Sequence, residues 1–395
     1  MKILIVSQRY WPENFRITDI AETLVQHGHD VTVLTGLPNY PKGYVFEGYR
    51  KKQNRIQNHN GVKIIRVREI ERRNNLLFRF LNYWSFKHYG SIKAKKLPRD
   101  FDVVLINELS PIQMCIPGLI YAKKNKKPVL MYEMDLWPES LLAGGIRKKS
   151  LIYKYYKKLS GTVYSKCNRI LVSTSEHINY IKELPHCSNV NIECLPQYAE
   201  NVFLNCDSTN LHSKTINLMF AGNIGKAQSI DTIIKAANIV KNDDRFKFHI
   251  VGSGTELEKS KKLVESFNLS NIYFYGNKPL DEMPKMYEKA NAMLVTLENK
   301  SYSNMTIPGK VQSYMAAGKP IIGAVSGSSS NFIKDNEIGY SVESGDYNGL
   351  AKIIQNLNIN ELMVIGKHAR EIYLQKYSKE RFILKLMREL DNITA

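Results

Sequence analysis

Residues 216–252, INLMFAGNIGKAQSIDTIIKAANIVKNDDRFKFHIVG, decide the fold class. The apolar run INLMFA leads into a glycine-rich loop, a helical segment IDTIIKAANIVK and a second apolar run FKFHIV. Buried apolar strands of five or six residues that alternate with helices are typical of a parallel sheet covered on both faces. We therefore predict a strand–loop–helix–strand unit whose ligand-binding residues lie in the loops after the strands.

The same alternation extends over the whole chain. It continues through NIYFYG, AMLVTL and PIIGAV, and it is also present in the first half in KILIVS, DVTVLT, FDVVLIN, KPVLMYEM and NRILVST. A length of 395 residues suits two domains of about 100–200 residues each. We predict an α/β protein of two Rossmann-like domains that face each other across a cleft and join near residues 188–202, with a first helix over residues 18–27.

Composition limits the class of protein and its partners. Residues 1–196 hold 32 Lys and Arg against 16 Asp and Glu, whereas residues 197–395 hold 24 against 21. Such a basic half suits nucleic acid, an anionic membrane or a phosphate-rich ligand. Five cysteines without a C-x-x-C pair indicate neither a disulfide framework nor a zinc site. No apolar run approaches the roughly 20 residues of a membrane span, so we expect a cytoplasmic protein that is soluble or peripheral to the membrane.

Two common nucleotide-binding signatures are missing from the sequence. No G-x-G-x-x-G motif opens either half, which argues against a dinucleotide cofactor, and no G-x-x-x-x-G-K-[ST] loop is present. Tyr153 and Lys157 have the Y-x-x-x-K spacing of sugar-nucleotide dehydrogenases and epimerases. Without the glycine turn, we interpret that spacing as chance.

Two other segments favour phosphate binding. The loop AGNIGKAQSIDT places Gly222, Gly225 and Lys226 between a strand and a helix, where free N–H groups can bind an anion. In TIPGKVQSYMAAG, Lys310 stands at a helix start, where a cation is unfavourable by about 0.3–1 kcal/mol unless it shares an anion with the helix. We predict that Lys310 contacts a phosphate group.

Several motifs in order carry a resemblance to a known family. GNIGKAQ, FHIVGSGTELE, IYFYGNKPLDEMPKMYEKANAMLVTL and PGKVQSYMAAGKPII resemble the C-terminal half of a family-4 glycosyltransferase of the GT-B fold. MKILIVSQRYWPENFRI, GLPNYPKGYVFEGY and EMDLWPES resemble its N-terminal half. The resemblance is closest to the branch that adds acetamido deoxysugars such as N-acetyl-L-fucosamine to cell-surface polysaccharide precursors.

The resemblance implies a retaining, metal-independent transferase without a cofactor, for which a UDP-sugar is the donor substrate. It implies that residues 1–195 bind the acceptor, that residues 196–375 bind the nucleotide-sugar, and that a C-terminal helix over 376–395 crosses back to the first domain. Without a metal, fixed cations and amide groups must stabilise the departing diphosphate. The groups available are Gly222, Asn223, Gly225, Lys226 and Lys310.

Further donor contacts are expected in the neighbouring loops. Gly252 and Gly254 of GSGTE could approach a ribose, with Glu256 or Glu258 accepting its hydroxyls. By resemblance, the backbone from Tyr275 to Lys278 would contact the base. The sequence departs from the family at its usual glutamate pair, since Ser313 and Met305 stand at those places, and at the usual arginine and lysine, which Asn223 and Gln228 replace.

Acceptor contacts are predicted in the first half. Asp135 in EMDLWPES follows a strand, where a carboxylate can orient or deprotonate a hydroxyl or can cap a helix. Glu13, Asn14 and Arg16 occupy the first loop, and Arg16 could hold an acceptor phosphate.

Residues 76–99 and 146–166 interleave aromatic with basic residues. In the first of these segments Leu77, Leu81, Trp84 and His88 form a stripe at near-helical spacing. Packing within the domain would explain each segment alone, but the basic half favours an anionic membrane surface that carries a lipid-diphosphate-linked acceptor. A nucleotide-sugar epimerase and a nucleic-acid-binding protein are the alternatives, although no nucleic-acid-binding motif is present.

Overall fold

The computed structural model describes residues 1–73, 75–207 and 214–395. The chain divides into two compact units. One comprises Met1–Leu195 together with Ile383–Ala395, and the other comprises Pro196–Phe382.

The first unit contains a sheet of eight strands. All neighbouring strands are parallel except the pair β3 and β4, and the order across the sheet is β3-β4-β2-β1-β5-β6-β7-β8. The strands are β1 Lys2–Val6, β2 Asp30–Thr35, β3 Ile56–His59, β4 Val62–Arg66, β5 Val103–Glu108, β6 Val129–Glu133, β7 Arg169–Val172 and β8 Ile192–Cys194.

Helices of the first unit connect these strands. They are α1 Arg16–Gln26, α2 Leu76–Ala94, α3 Ile116–Asn125, α4 Ser140–Ala143, α5 Leu151–Tyr164 and α6 Glu176–Lys182. The Asn75 side chain caps the start of α2 and the Ser150 side chain caps the start of α5, in each case by accepting a backbone N–H three residues later.

The second unit contains a sheet of six parallel strands in the order β11-β10-β9-β12-β13-β14. Side chains of β9 alternate between two apolar cores: Leu218 and Phe220 belong to one, and Met219 and Ala221 to the other. The strands are β9 Ile216–Ala221, β10 Phe246–Val251, β11 Ile272–Gly276, β12 Ala292–Thr296, β13 Ile321–Ala324 and β14 Gly339–Val342.

The second unit's helices lie on both faces of this sheet. They are α7 Ile230–Ile239, α8 Leu257–Ser266, α9 Met283–Glu288, α10 Ser301–Asn304, α11 Lys310–Ala316, α12 Ser328–Asp335, α13 Tyr347–Gln355 and α14 Ile359–Ile372. A π-helical turn, Tyr373–Tyr377, precedes the last helix, α15 Lys379–Thr394. The boundary between the units falls within α15.

The α/β class and the parallel strands predicted from apolar runs are confirmed. The first helix begins two residues before the predicted start, at Arg16. Sequence reasoning missed four strands, β3, β4, β8 and β14. Three of these are edge or short strands of three or four residues, such as IQNH in β3, whose polar and half-exposed side chains give no apolar run to detect.

Within residues 1–73, 75–207 and 214–395, we find no helix with both the length and the apolar character that a membrane span requires.

Candidate functional site

Two glycine loops interlock at the carboxyl ends of β9 and β10. The Gly222 N–H donates to Val251 O at 2.9 Å, and a Cβ on Gly252 would lie only 1.9 Å from Gly222 O. Both glycines also have positive φ angles, 141° for Gly222 and 133° for Gly252. Only glycine tolerates this backbone conformation and approach, so the sequence fixes a rigid loop edge with little side-chain cover.

Lys310, the first residue of α11, places its ammonium against this edge. Its Nζ donates to Gln228 Oε1 at 2.6 Å and lies 3.9 Å from the centroid of the Phe220 ring. A Cβ on Gly222 would be 2.9 Å from Nζ, so the amine contacts the bare backbone of the glycine loop. The structure thus brings together Gly222, Gln228 and Lys310, three residues that the sequence analysis had singled out.

The charge of Lys310 is poorly compensated. Burial lowers the pKa of Lys310 to about 7. Within the described parts of the chain we find no carboxylate paired with its ammonium; the contacts found are a neutral amide oxygen and an aromatic ring. A buried ammonium of this kind is stabilised by an added anion, and a diphosphate offers several acceptor oxygens.

Beside Lys310 lies a cavity of about 460 Å³, within the range of small-molecule sites. The predicted residues Gly222, Asn223, Gly252, Lys278 and Lys310 all line it. Asn277, within the predicted range from Tyr275 to Lys278, also lines it, whereas sequence reasoning missed Phe203, Ser253, Met283 and Tyr287. The apolar members of that group look like ordinary core positions in the sequence, so no local signal could have identified them.

Three predicted donor contacts lie elsewhere. Gly225, Lys226 and Glu256 line a second groove between α7 and α8, which shares no lining residue with the cavity at Lys310. There Glu256 pairs with Lys259 at 3.2 Å. The structure thus places Lys226 and Lys310 in the linings of two separate sites, which does not support the prediction that they act on one diphosphate. A motif in the sequence indicates where a loop lies, but it does not fix the direction of an exposed lysine side chain.

Other predicted donor residues have internal partners. The Ser313 hydroxyl donates to Lys310 O at 2.8 Å, and the Tyr275 hydroxyl bonds His249 Nδ1 at 2.8 Å. Gly254 packs closely under the loop, since a Cβ there would lie 2.3 Å from Ile224 O. None of these three residues belongs to the lining of the cavity at Lys310.

In the first unit, Asp135 belongs to a group of acidic side chains at the carboxyl ends of β5 and β6. Asp135 Oδ2 accepts the Ser110 N–H at 3.1 Å, and the Asp135 N–H donates to Glu108 Oε2 at 3.3 Å. Glu133, the last residue of β6, lies 2.8 Å from His177 Nδ1 of α6. Glu108 and Glu133 are fully buried, whereas Asp135 retains some exposure.

This surrounding raises the pKa of Asp135. Burial is the main cause, and the carboxylate of Glu133 adds to it, while hydrogen bonds from Ser110 and the charge of His177 oppose the shift. Burial and the nearby carboxylates of Glu133 and Asp135 also hold the pKa of Glu108 well above its usual range. The helix that follows begins at Ser140, so Asp135 does not cap it; its carboxylate instead joins two loops. A partly exposed carboxylate with a raised pKa is suited to accept a proton from a hydroxyl.

Glu13 serves the fold. Its Oε1 accepts the N–H groups of Asn39 at 2.8 Å and Tyr40 at 2.6 Å, and Arg9 lies 3.5 Å away. The side chain is buried, so the predicted acceptor contact is replaced by an anchor for the loop after β2. The sequence does not indicate this role, because the backbone N–H groups that Glu13 accepts lie 26 and 27 residues later in the chain.

The two other residues of the first loop differ in exposure. Asn14 is exposed, and Arg16 is half-buried at the start of α1. Burial raises the pKa of Tyr132, and Arg16 opposes that shift, which places its charge near the end of β6. Arg16 follows β1 and Asp135 follows β6, so both lie at the carboxyl edge of this parallel sheet.

The Y-x-x-x-K pair has no catalytic geometry. Tyr153 is buried and donates its hydroxyl to Glu139 Oε1 at 2.6 Å, whereas Lys157 is exposed. Glu139 also accepts from Tyr180 at 2.8 Å and lies 3.3 Å from Lys148. This glutamate of DLWPES therefore ties α5 and α6 to the loop that carries Asp135.

In the described ranges we find no group of three or more histidine, cysteine, aspartate or glutamate side chains arranged to hold a metal ion.

Comparisons with known proteins support one family. Residues 205–379 match the family model described as "Glycosyl transferases group 1". The chain is 29% identical over 322 residues to the probable glycosyltransferase WbjE of Pseudomonas aeruginosa, a match that covers 78% of each chain.

Solved structures share the fold at lower identity. Anabaena HepE in complex with UDP and glucose matches with a TM-score of 0.71 and 12% identity, over 99% of each chain. WaaG, a glycosyltransferase involved in lipopolysaccharide biosynthesis, matches with a TM-score of 0.69 and 14% identity, over 100% of each chain. The α/β fold with parallel sheets is thus that of GT-B glycosyltransferases.

Proposed function

We propose that this chain, whose residues 205–379 match the family model described as "Glycosyl transferases group 1", is a retaining, metal-independent glycosyltransferase. It moves a sugar from a UDP-sugar onto a lipid-linked or glycan acceptor in cell-surface polysaccharide biosynthesis. The proposed donor sugar is an acetamido deoxyhexose such as N-acetyl-L-fucosamine, and the UDP-sugar is a substrate, with no further cofactor required.

The observation that carries the proposal is the position of Lys310. Its ammonium lies against the Gly222 backbone at the edge of a cavity of about 460 Å³, with a neutral oxygen as its hydrogen-bond partner. Negative charge develops on the diphosphate as the glycosyl bond breaks, and a preorganised cation there lowers the barrier. The UDP complex of HepE supports UDP as the nucleotide.

Asp135 is the proposed group for the acceptor. Its raised pKa and its remaining exposure suit a carboxylate that orients an acceptor hydroxyl and takes its proton. The WbjE and WaaG similarities support a polysaccharide or lipopolysaccharide acceptor.

An anionic membrane surface is the proposed location, on the cytoplasmic face. Residues 72–98, 109–132 and 140–175 hold 19 Lys and Arg and no Asp or Glu. Large apolar side chains of α2 and α5 are exposed among these cations: Leu77, Phe80, Trp84, Ile92, Leu151, Ile152 and Tyr155. We call these seven residues the apolar patch.

Of the predicted stripe, Leu77, Trp84 and His88 are exposed and Leu81 is half-buried. Cations beside exposed apolar groups suit binding to anionic lipid.

One assay tests the function. Purified protein is incubated with a panel of labelled UDP- and GDP-sugars and vesicles that contain lipid-diphosphate-linked acetamido sugars. We expect transfer from at least one UDP-sugar, in chelator, with the donor's anomeric configuration kept in the product. Nucleotide-sugar epimerisation without transfer, or an inverted product, would contradict the proposal.

A second assay tests the membrane surface. Trp84→Ser combined with Leu151→Ser should weaken binding to phosphatidylglycerol vesicles, measured by flotation, by about 100-fold or more, because each apolar side chain that the membrane buries contributes about 1.5–3 kcal/mol. Wild-type protein should not float with phosphatidylcholine vesicles. The matched control is Val364→Ser, which removes a side chain that is 70% exposed on α14 of the other unit. Equal flotation of the control and the patch variant would remove the patch from the membrane contact.

A further inference from the structure

An apolar groove, separate from the cavity at Lys310 and from the groove between α7 and α8, runs between α3 and α5 in the first unit. It has a volume of about 540 Å³, comparable to sites that hold small ligands. Ile116, Leu119, Ile120 and Leu159 form its half-buried sides, and Val129 and Val163 are fully buried beneath them. Val129 is the first residue of β6, so the groove lies at the opposite end of that strand from Asp135. It is therefore distinct from the proposed acceptor site.

Cations surround this groove and no acid lines it. Lys123, Lys127 and Lys166 belong to its lining, which contains no Asp or Glu. Both helices also lie in the acid-free segments 109–132 and 140–175. An apolar channel with ammonium groups at its rim suits an amphiphile that carries one anionic head.

The groove continues into the exposed surface. Leu151, Tyr155, Leu159 and Thr162 share one face of α5, because they are spaced by four, four and three residues. Leu151 is 83% exposed and Tyr155 60% exposed, whereas Leu159 and Thr162 line the groove. Part of the apolar patch therefore leads directly along α5 to the groove, and Lys166 follows at its far end.

The volume of the groove favours a hydrocarbon chain over an α-helix as its occupant. An α-helix is about 10 Å across, so 540 Å³ would accommodate only about 7 Å of helix, little more than one turn. An unbranched hydrocarbon chain is thinner and can use the full length of the groove.

We propose that the α3/α5 groove binds one acyl chain of an anionic phospholipid, whose phosphate is held by Lys123, Lys127 and Lys166. This lipid is an anchoring ligand, separate from any sugar acceptor. The inference does not depend on the donor or on the reaction, so it can hold or fail independently of the proposed function.

Titration calorimetry with dodecyl phosphate, below its micelle-forming concentration, tests the site directly. We expect one dodecyl phosphate to bind per wild-type chain, and inorganic phosphate not to bind. Leu159→Trp, which fills the groove, should weaken binding at least tenfold. Leu384→Trp is the matched control, since it makes the same change at a leucine that is 54% exposed on α15, outside both the groove lining and the apolar patch.

A second variant keeps the test decisive if Leu159→Trp fails to fold. Lys123→Gln, Lys127→Gln and Lys166→Gln together should weaken dodecyl phosphate binding at least tenfold and leave binding of neutral dodecyl maltoside unchanged. Unaltered dodecyl phosphate binding in either variant, or no binding to wild type, would overturn the proposal. A wild-type dimer that Leu159→Trp converts to a monomer, without amphiphile binding, would assign the groove to self-association and also overturn it.

Discussion

Lys310→Ala should weaken UDP binding by more than tenfold, a loss of about 1.4 kcal/mol or more. The alanine variant removes the ammonium that lies against Gly222 at the cavity edge, whereas Lys278, the other lysine of the lining, already pairs with Glu282 at 3.6 Å. Calorimetric titration with UDP measures the effect. The loss should be smaller for uridine, which lacks the diphosphate.

Lys226→Ala is the matched control. Lys226 is an exposed lysine in a loop of the same unit, but it lines the separate groove between α7 and α8. We expect its UDP affinity to remain within about twofold of wild type, which corresponds to roughly 0.4 kcal/mol. If Lys226→Ala lost affinity and Lys310→Ala did not, the assignment of the two lysines would be reversed.

The pH dependence of UDP affinity provides an independent test of the role of Lys310. Because burial holds the pKa of Lys310 at about 7 in the free protein, its amine loses its proton as the pH rises above neutrality. A bound diphosphate favours the charged form, so UDP affinity should fall by about tenfold or more between pH 7 and pH 9. The Lys310→Ala variant should lack this decline. A wild-type affinity that stays constant over the same interval would show that Lys310 does not meet the diphosphate.

Asp135→Asn should slow sugar transfer by about 100-fold or more and leave UDP affinity unchanged, as expected for loss of a general base. Asparagine keeps an oxygen that can accept the Ser110 N–H, so the loop should retain its position. The comparison requires kcat and the UDP dissociation constant from the same preparation.

The wild-type pH profile should agree with this role. Since the pKa of Asp135 is raised, mainly by burial, the acid limb of kcat/KM should lie above the usual range for an aspartate, with activity falling as the pH falls through that value. Wild-type turnover in Asp135→Asn would show that the Asp135 carboxylate only holds the loop at Ser110 and takes no part in transfer. A parallel loss of UDP binding would instead indicate damage to the fold.

Sequence reasoning worked best where one residue type has a strict backbone or burial requirement. Gly222 was predicted as a phosphate-loop glycine, Gly252 as a ribose contact and Lys310 as a cation at a helix start without a partner, and the structure places all three in the lining of one cavity. The strands β9 and β10 were predictable from the sequence because both of their faces are buried, so their residues form continuous apolar runs.

The sequence did not predict the directions of exposed side chains or the hydrogen-bond partners that lie far away in the chain. Lys226 follows a predicted phosphate loop, yet it lines another groove, and nothing local fixes the direction of a long exposed side chain. Glu13 resembled a ligand because it lies after β1, but its carboxylate accepts two N–H groups from residues 26 and 27 positions later. The partners of Glu133 and Asp135 likewise come from other strands and from α6, so only the fold assembles that group.

The most direct test is a crystal structure of the protein with UDP, because the central claim is that Lys310 and the Gly222 edge receive the diphosphate. We predict β-phosphate oxygens within about 3.2 Å of Lys310 Nζ, with UDP filling the cavity that Gly252, Asn277 and Lys278 also line. UDP bound beside Lys226, or a diphosphate that leaves Lys310 bonded only to Gln228, would contradict the account.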